Sequence, residues 1–206
     1  MKKIDQQIIK EAYSYSTYRQ LIDNLFAQEK NTGTDHSEAM LHYTKMNIAR
    51  MNRLDKKTTL TEATLRKLKE IQEEQIWLVL TEGWCGDAAQ ILPVMNKMAN
   101  ASANIQMCMI LRDKHLKIMD AFLTDGARSI PKLIVLNKNY EVMKTWGPRP
   151  TEAQQMMLAT KKAIKQMSKE DRQFAMAKLK TDMQKWYNKD KTIQTQADIL
   201  AALGLE

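Results

Sequence analysis

Cysteine and histidine are scarce in this chain, with two of the former and three of the latter among 206 residues. Two thiols are too few for a disulfide scaffold. His36, His42 and His115 are scattered, and no Cys/His spacing matches a zinc site. The six glycines form no phosphate-binding loop, and no serine nucleophile motif is present. No metal and no cofactor is therefore expected. Long apolar runs are missing too: none approaches the roughly 18 to 20 residues that span a bilayer. Met1-Lys2-Lys3-Ile4-Asp5-Gln6-Gln7 leads into no apolar segment of the kind a signal peptide needs. The expectation is a cytoplasmic protein with no membrane partner.

What is present is ordinary globular material: 44% hydrophobic and 27% charged residues in a chain long enough for one enlarged domain. The formal charge of +8 invites a nucleic-acid reading. The placement of Lys161, Lys162, Lys165, Lys169, Lys178, Lys180, Lys185, Lys189 and Lys191 argues against it, because they alternate with acids and apolar residues at helical spacing. They read as a solvated helix face, and no nucleic acid is expected as partner. The fifteen methionines fall mostly where strands or helices need core filler.

Apolar residues at steps of three and four predict a helix over residues 4 to 29, closed by Asn31-Thr32-Gly33-Thr34. Thr34 or Asp35 is a candidate cap for a second helix to about Leu54. Thr59-Leu60-Thr61-Glu62 reads as a capping box opening a third, to about Glu73. Strands are predicted at Ile76–Thr81, Ile105–Arg112, Lys132–Leu136 and Tyr140–Thr145. A helix from Asp87 to about Met98 joins the first two, so they pair in parallel; Asn137-Lys138-Asn139 turns the last two into a hairpin. Thr151 with Gln154, and Ser168 with Asp171, open further helices to about Met167 and Asn188, and a short one follows near Ala197–Leu203. The chain thus divides into a helical extension over 1–60, an α/β domain over 61–167 and a second helical extension over 168–206.

Trp84-Cys85-Gly86-Asp87-Ala88 follows the first strand and opens a helix, with Pro93 eight residues past the cysteine. Unpaired backbone N–H groups and the positive end of the helix dipole favour a thiolate there. Asp87 acts in the opposite sense by placing a second negative charge beside the sulfur. Cys108 lies mid-strand, roughly 10 Å or more from the level of the turn at about 3.3 Å per residue. It therefore reads as a core residue.

The stretch Trp84–Pro93, with Arg128-Ser129-Ile130-Pro131-Lys132-Leu133-Ile134-Val135-Leu136 some forty residues later, resembles the active-site turn and cis-proline strand of thioredoxin-fold proteins. It is closest to the bacterial thioredoxin-like group whose motif reads W-C-G-D-x, and the resemblance covers about residues 60 to 165. It implies a thioredoxin-like fold, with a mixed four-stranded sheet flanked by helices. It implies Cys85 as the reactive residue, with Trp84, Gly86, Asp87, Ala88, Arg128, Ile130 and a cis Pro131 as neighbours. Arg128 is expected across the site, offsetting Asp87. The chain departs from the family pattern twice: Ala88 stands at the resolving cysteine, and Val79 stands where thioredoxins bury an acid.

Two functions follow. One is monothiol redox chemistry in cell redox homeostasis, in which Cys85 attacks a disulfide-containing or thiol-modified protein, or a low-molecular-weight thiol adduct, and an outside thiol resolves the mixed disulfide. The alternative is a noncatalytic module that binds a peptide or partner protein in the groove beside Pro131. A weaker third is an iron–sulfur cluster or small thiol held at one cysteine.

Overall fold

The computed structural model describes residues 2–205. Four strands form one sheet in the order β2-β1-β3-β4: β1 is Gln75–Thr81, β2 Ile105–Leu111, β3 Lys132–Asn137 and β4 Val142–Trp146. β1 runs parallel to β2 and antiparallel to β3, and β3 and β4 form an antiparallel hairpin. Trp77, Leu78, Val79 and Leu80 on β1 have no exposure at all, so the central strand is covered on both faces. This is the mixed sheet flanked by helices that the resemblance implies.

Helices α1 (Gln6–Glu11), α2 (Tyr15–Ala27), α3 (Glu38–Lys57) and α4 (Glu62–Lys69) precede the sheet. α5 (Gly86–Asn100) crosses from β1 to β2, and the short α6 (Leu116–Asp120) follows β2. α7 (Thr151–Ala163), α8 (Lys169–Asp190) and α9 (Ile193–Leu203) complete the chain. α5 is buried almost all round, since α3 and α9 both pack on it. Ala153, Leu179 and Met183 form a second small core between α7 and α8, and Trp186 packs against both this cluster and the main one.

The single helix expected over residues 4 to 29 is two helices. The chain leaves helical geometry at Ala12, and Tyr13 exchanges two backbone hydrogen bonds with Met109 on the outer edge of β2 (2.9 and 2.8 Å). A helix cannot offer those groups sideways, so the edge strand's demand for partners overrides the apolar periodicity. Ser14 then restarts the helix by accepting from the Thr17 amide. At the other end of the same segment, the Ile4 amide donates to the Tyr140 carbonyl and the Val142 amide to the Lys2 carbonyl, each at 2.9 Å, on the outer edge of β4. The N-terminal segment therefore reaches from one edge of the sheet to the other, with α1 in between.

Several caps also differ from expectation. Thr61, not Thr59, caps the helix before the sheet, accepting from the Thr64 amide, and that helix stops at Lys69. Ser37 stands at the cap position of α3 rather than Thr34 or Asp35. Thr151 forms no capping box with Gln154: the Thr151 amide is held by the Asp198 carboxylate, and Gln154 accepts from Arg149.

Tyr13→Pro removes the amide donated to Met109, while Ala12 before it is already extended and tolerates a following proline. The variant is expected to lose about 1–3 kcal/mol in urea unfolding, the cost of an unsatisfied buried acceptor. An unchanged midpoint would show that the edge contact contributes nothing.

Candidate functional site

Cys85 is the N-cap of α5, and its Sγ accepts a hydrogen bond from the Ala88 amide at 3.5 Å. The thiol donates in turn to the Ile130 carbonyl at 3.3 Å. The Ile130–Pro131 peptide bond is cis. The turn after β1 and the strand β3 thus meet at the sulfur, although 45 residues separate them in sequence. Gly147 packs behind Pro131 with φ +111°, and a Cβ there would fall 2.3 Å from the Pro131 carbonyl oxygen, so only glycine fits.

The thiol is neither exposed nor poised as an anion, contrary to the expectation from its place in sequence. Cys85 is 8% exposed, and its pKa is pushed up to about 12, by burial first and by the Asp87 carboxylate second. The amides of Ala88 and Asp87 and the Arg149 guanidinium act in the opposite sense but do not prevail. Loss of hydration outweighs the helix dipole here.

Asp87 itself is buried beside the sulfur, and burial raises its pKa despite two partners. Arg149, from the segment after β4, forms an ion pair with it at 2.7 Å, and the Tyr187 hydroxyl from α8 donates to it at 3.1 Å. The cation that balances Asp87 is therefore Arg149, not Arg128. Arg128 stands at the cleft rim and is 49% exposed, holding Asp120 through two hydrogen bonds of 2.6 and 2.9 Å. Arg149 lies in the bend between β4 and α7 and Tyr187 in α8, where the sequence pattern carries no functional signal; only the fold brings them to the turn.

Trp84 is partly buried under the Arg112 guanidinium, 4.9 Å from its ring centroid, and Arg112 is held by Asp113 at 2.7 Å. Gly33 lies so close to the Trp84 indole nitrogen that a Cβ would sit 2.8 Å from it. Gly86 opens α5 next to Arg50, and Ala88 is buried at the position of the missing second thiol. Cys108 is a free, buried cysteine opposite Leu78 on β1. Among the described residues, no group of three or more His, Cys, Asp or Glu side chains could hold a metal ion.

A buried acid does stand near the turn, three residues before Cys85 rather than six. Glu82 has no exposure; it accepts from the Thr32 hydroxyl and from the Asp113 amide at 2.9 Å. Burial lifts its pKa from 4.5 to about 6. The signal was a charged residue directly after a strand with a continuous apolar run, Ile76 to Leu80.

Trp84, Cys85, Asp87, Arg112, Ile130 and Arg149 line a cleft of about 580 Å³ walled by α3 on one side and by α7 and α8 on the other. The volume lies in the range of small-molecule sites.

The family model described as Thioredoxin matches residues 33–168, and the chain belongs to that family. No functionally curated protein matches it. A solved structure of a protein of unknown function from Pseudomonas aeruginosa is 17% identical with a TM-score of 0.54, over 79% of this chain and 89% of that one. A crystal structure of an HIV epitope-scaffold is 15% identical with a TM-score of 0.52, over 72% of this chain and 79% of that one. At these identities the likeness concerns the fold alone. No helix among the described residues is long and apolar enough to cross a membrane.

Asp87→Asn removes the carboxylate that opposes ionisation of Cys85, so alkylation of the thiol at pH 8 is expected to accelerate by about tenfold, one pKa unit's worth. The same change strands the Arg149 charge and lowers stability by about 3 kcal/mol. Unaltered alkylation would show that Asp87 does not set the thiol's acidity. Glu82 binds its proton more tightly folded than unfolded, so its contribution is full below pH 4.5 and is lost as pH rises through about 6. Glu82→Gln stays neutral, and its stability relative to the parent is expected to rise by about 2 kcal/mol between pH 4 and pH 7. Parallel pH profiles of thermal unfolding would refute this.

Proposed function

We propose that this thioredoxin-family protein carries out thiol–disulfide exchange through the single thiol of Cys85, in the manner implied by its W-C-G-D-x motif. The observation that carries the reading is the seat of the sulfur: it faces a cleft large enough for a substrate and lies between the first amides of α5 and the carbonyl preceding Pro131. A bound disulfide in that cleft can present one sulfur along the line now occupied by the thiol–carbonyl hydrogen bond.

The exchange balances without a second cysteine. The Cys85 sulfur forms a bond to one sulfur of R–S–S–R′ as the S–S bond breaks, and the departing sulfur takes up the proton that Cys85 gives up, leaving as R′–SH. An outside thiol R″–SH then attacks the R sulfur, releasing R–S–S–R″ and returning the proton to Cys85. Ala88 N–H and Asp87 N–H stabilise the thiolate while it exists. Both cysteines are free, which suits a reducing compartment such as the bacterial cytoplasm.

One observation favours the alternative, a noncatalytic binding module: the resting thiol is covered and protonated, held so by burial first and by Asp87 second. The two readings separate on kinetics. Under the exchange reading, incubation with a small disulfide gives a Cys85 adduct by intact mass, at a rate that climbs about tenfold per pH unit from pH 7 to 9 without a plateau. Cys85→Ser abolishes it and abolishes cellular function. Retention of cellular function in that variant would instead establish the binding module. Strong turnover of insulin disulfides would overturn the monothiol assignment from the other side, since a chain with Ala88 cannot close an internal disulfide at the turn.

A further inference from the structure

We propose that the ligand of this cleft is a small carboxylate-bearing thiol or disulfide and that Arg50, on α3, is the residue that receives its carboxylate. The inference deepens the exchange reading and rests on it for the covalent step, which is the one balanced above, with R the carboxylate-bearing group.

Five cationic side chains line the cleft, and three of them are already matched with carboxylates. Arg149 is held by Asp87, Arg112 by Asp113 and Arg128 by Asp120. Lys180 donates to the Tyr43 hydroxyl and lies over that ring at 5.0 Å. Arg50 differs. Among the described residues no carboxylate stands within ion-pair distance of it, yet it is half-buried; burial and Arg53 lower its pKa, and the more distant Asp87 carboxylate, already paired with Arg149, offsets this only in part. A half-buried guanidinium without an ion pair of its own has room for an anionic ligand that arrives at it.

Its position is fixed in advance. Arg50 donates to the Asn47 side-chain oxygen at 2.9 Å, and buried Asn47 donates to the Gly83 carbonyl at 3.0 Å, two residues ahead of Cys85. The guanidinium is thereby tied to the turn that carries the sulfur, and it lies 3.5 Å from where a Cβ on Gly86 would stand. A ligand joined to Cys85 and bearing a carboxylate a few bonds from its sulfur can reach both groups at once. Lys180 stands on α8, across the cleft from α3, where it can receive a second negative charge. The intervening walls are supplied by Met40, Met46, Met157, Met176 and Met183, pliable side chains that adapt to an irregular ligand body. The volume of about 580 Å³ suits a molecule of tripeptide size.

The test compares two disulfides, glutathione disulfide and the uncharged bis(2-hydroxyethyl) disulfide, and reads the ratio of their rates of adduct formation at Cys85 by intact mass. That ratio cancels any general change in thiol reactivity. The full chain is expected to favour the anionic disulfide by about tenfold, the value of one charge-assisted hydrogen bond. Arg50→Gln should bring the ratio near one, and Arg50→Lys should restore part of it. A ratio near one in the parent, or a ratio untouched by Arg50→Gln, overturns the inference and leaves thiol exchange standing. If neither disulfide reacts, the exchange reading fails by itself, and calorimetry with S-methylglutathione, which cannot exchange, still decides the inference. Binding that Arg50→Gln weakens about tenfold upholds anion recognition. Absence of binding, or binding seen only with a longer acidic peptide, overturns it.

Discussion

The ion pair between Asp87 and Arg149 is the contact on which the arrangement of this site depends. It joins the first turn of α5 to the segment after β4, and Tyr187 adds α8 to the same carboxylate. Three parts of the chain that are far apart in sequence are fixed around one sulfur by a buried pair whose members are each under one-sixth exposed. A pair so placed contributes little net stability, because both charges have left water, but removing either member leaves the other stranded. The pair is therefore better understood as a device of geometry than of stability. It ties α8 to the turn through Tyr187, and it places a carboxylate next to Cys85.

The low hydration of the sulfur, and after it the Asp87 carboxylate, reverse what a helix N-terminus ordinarily does to a thiol. The outcome is a neutral Cys85 whose hydrogen is given to the Ile130 carbonyl. The cleft above it is walled by α3 on one side and by α7 with α8 on the other, and of these α3 and α8 lie outside the α/β domain. The small α7–α8 core of Ala153, Leu179 and Met183 holds that wall together, and Trp186 connects it to the main core. Reactivity and access are thus governed by different parts of the molecule, the first by the turn and the second by the appended helices.

Much of the fold was legible because its signals are local. The apolar run of β1, the hairpin turn at Asn137-Lys138-Asn139 and the Ser168 cap each act within a few residues. The junction of Cys85 with the strand opened by Pro131 was legible as well, through the resemblance rather than through spacing. What could not be read were contacts that only tertiary structure creates. The break at Ala12 answers a need of β2, nearly a hundred residues on in the chain. Arg149 was invisible as the partner of Asp87 because one arginine among many carries no mark of its destination, and Arg128 looked better placed by its nearness to Pro131. Glu82 carried no family signal, because the family buries its acid six residues ahead of the cysteine, where this chain has Val79.

The N-terminal segment has a consequence for how the molecule is made. Its residues leave the ribosome before the sheet does, yet Lys3 and Tyr13 find their partners on Glu141, just ahead of β4, and on Met109 of β2. At about 5–20 residues per second those strands emerge many seconds later, so both flanks of the nascent sheet stay unsealed until the hairpin is complete. The segment is then a strap fastened at one point on each flank, which shortens the run of free edge that a neighbour could pair with.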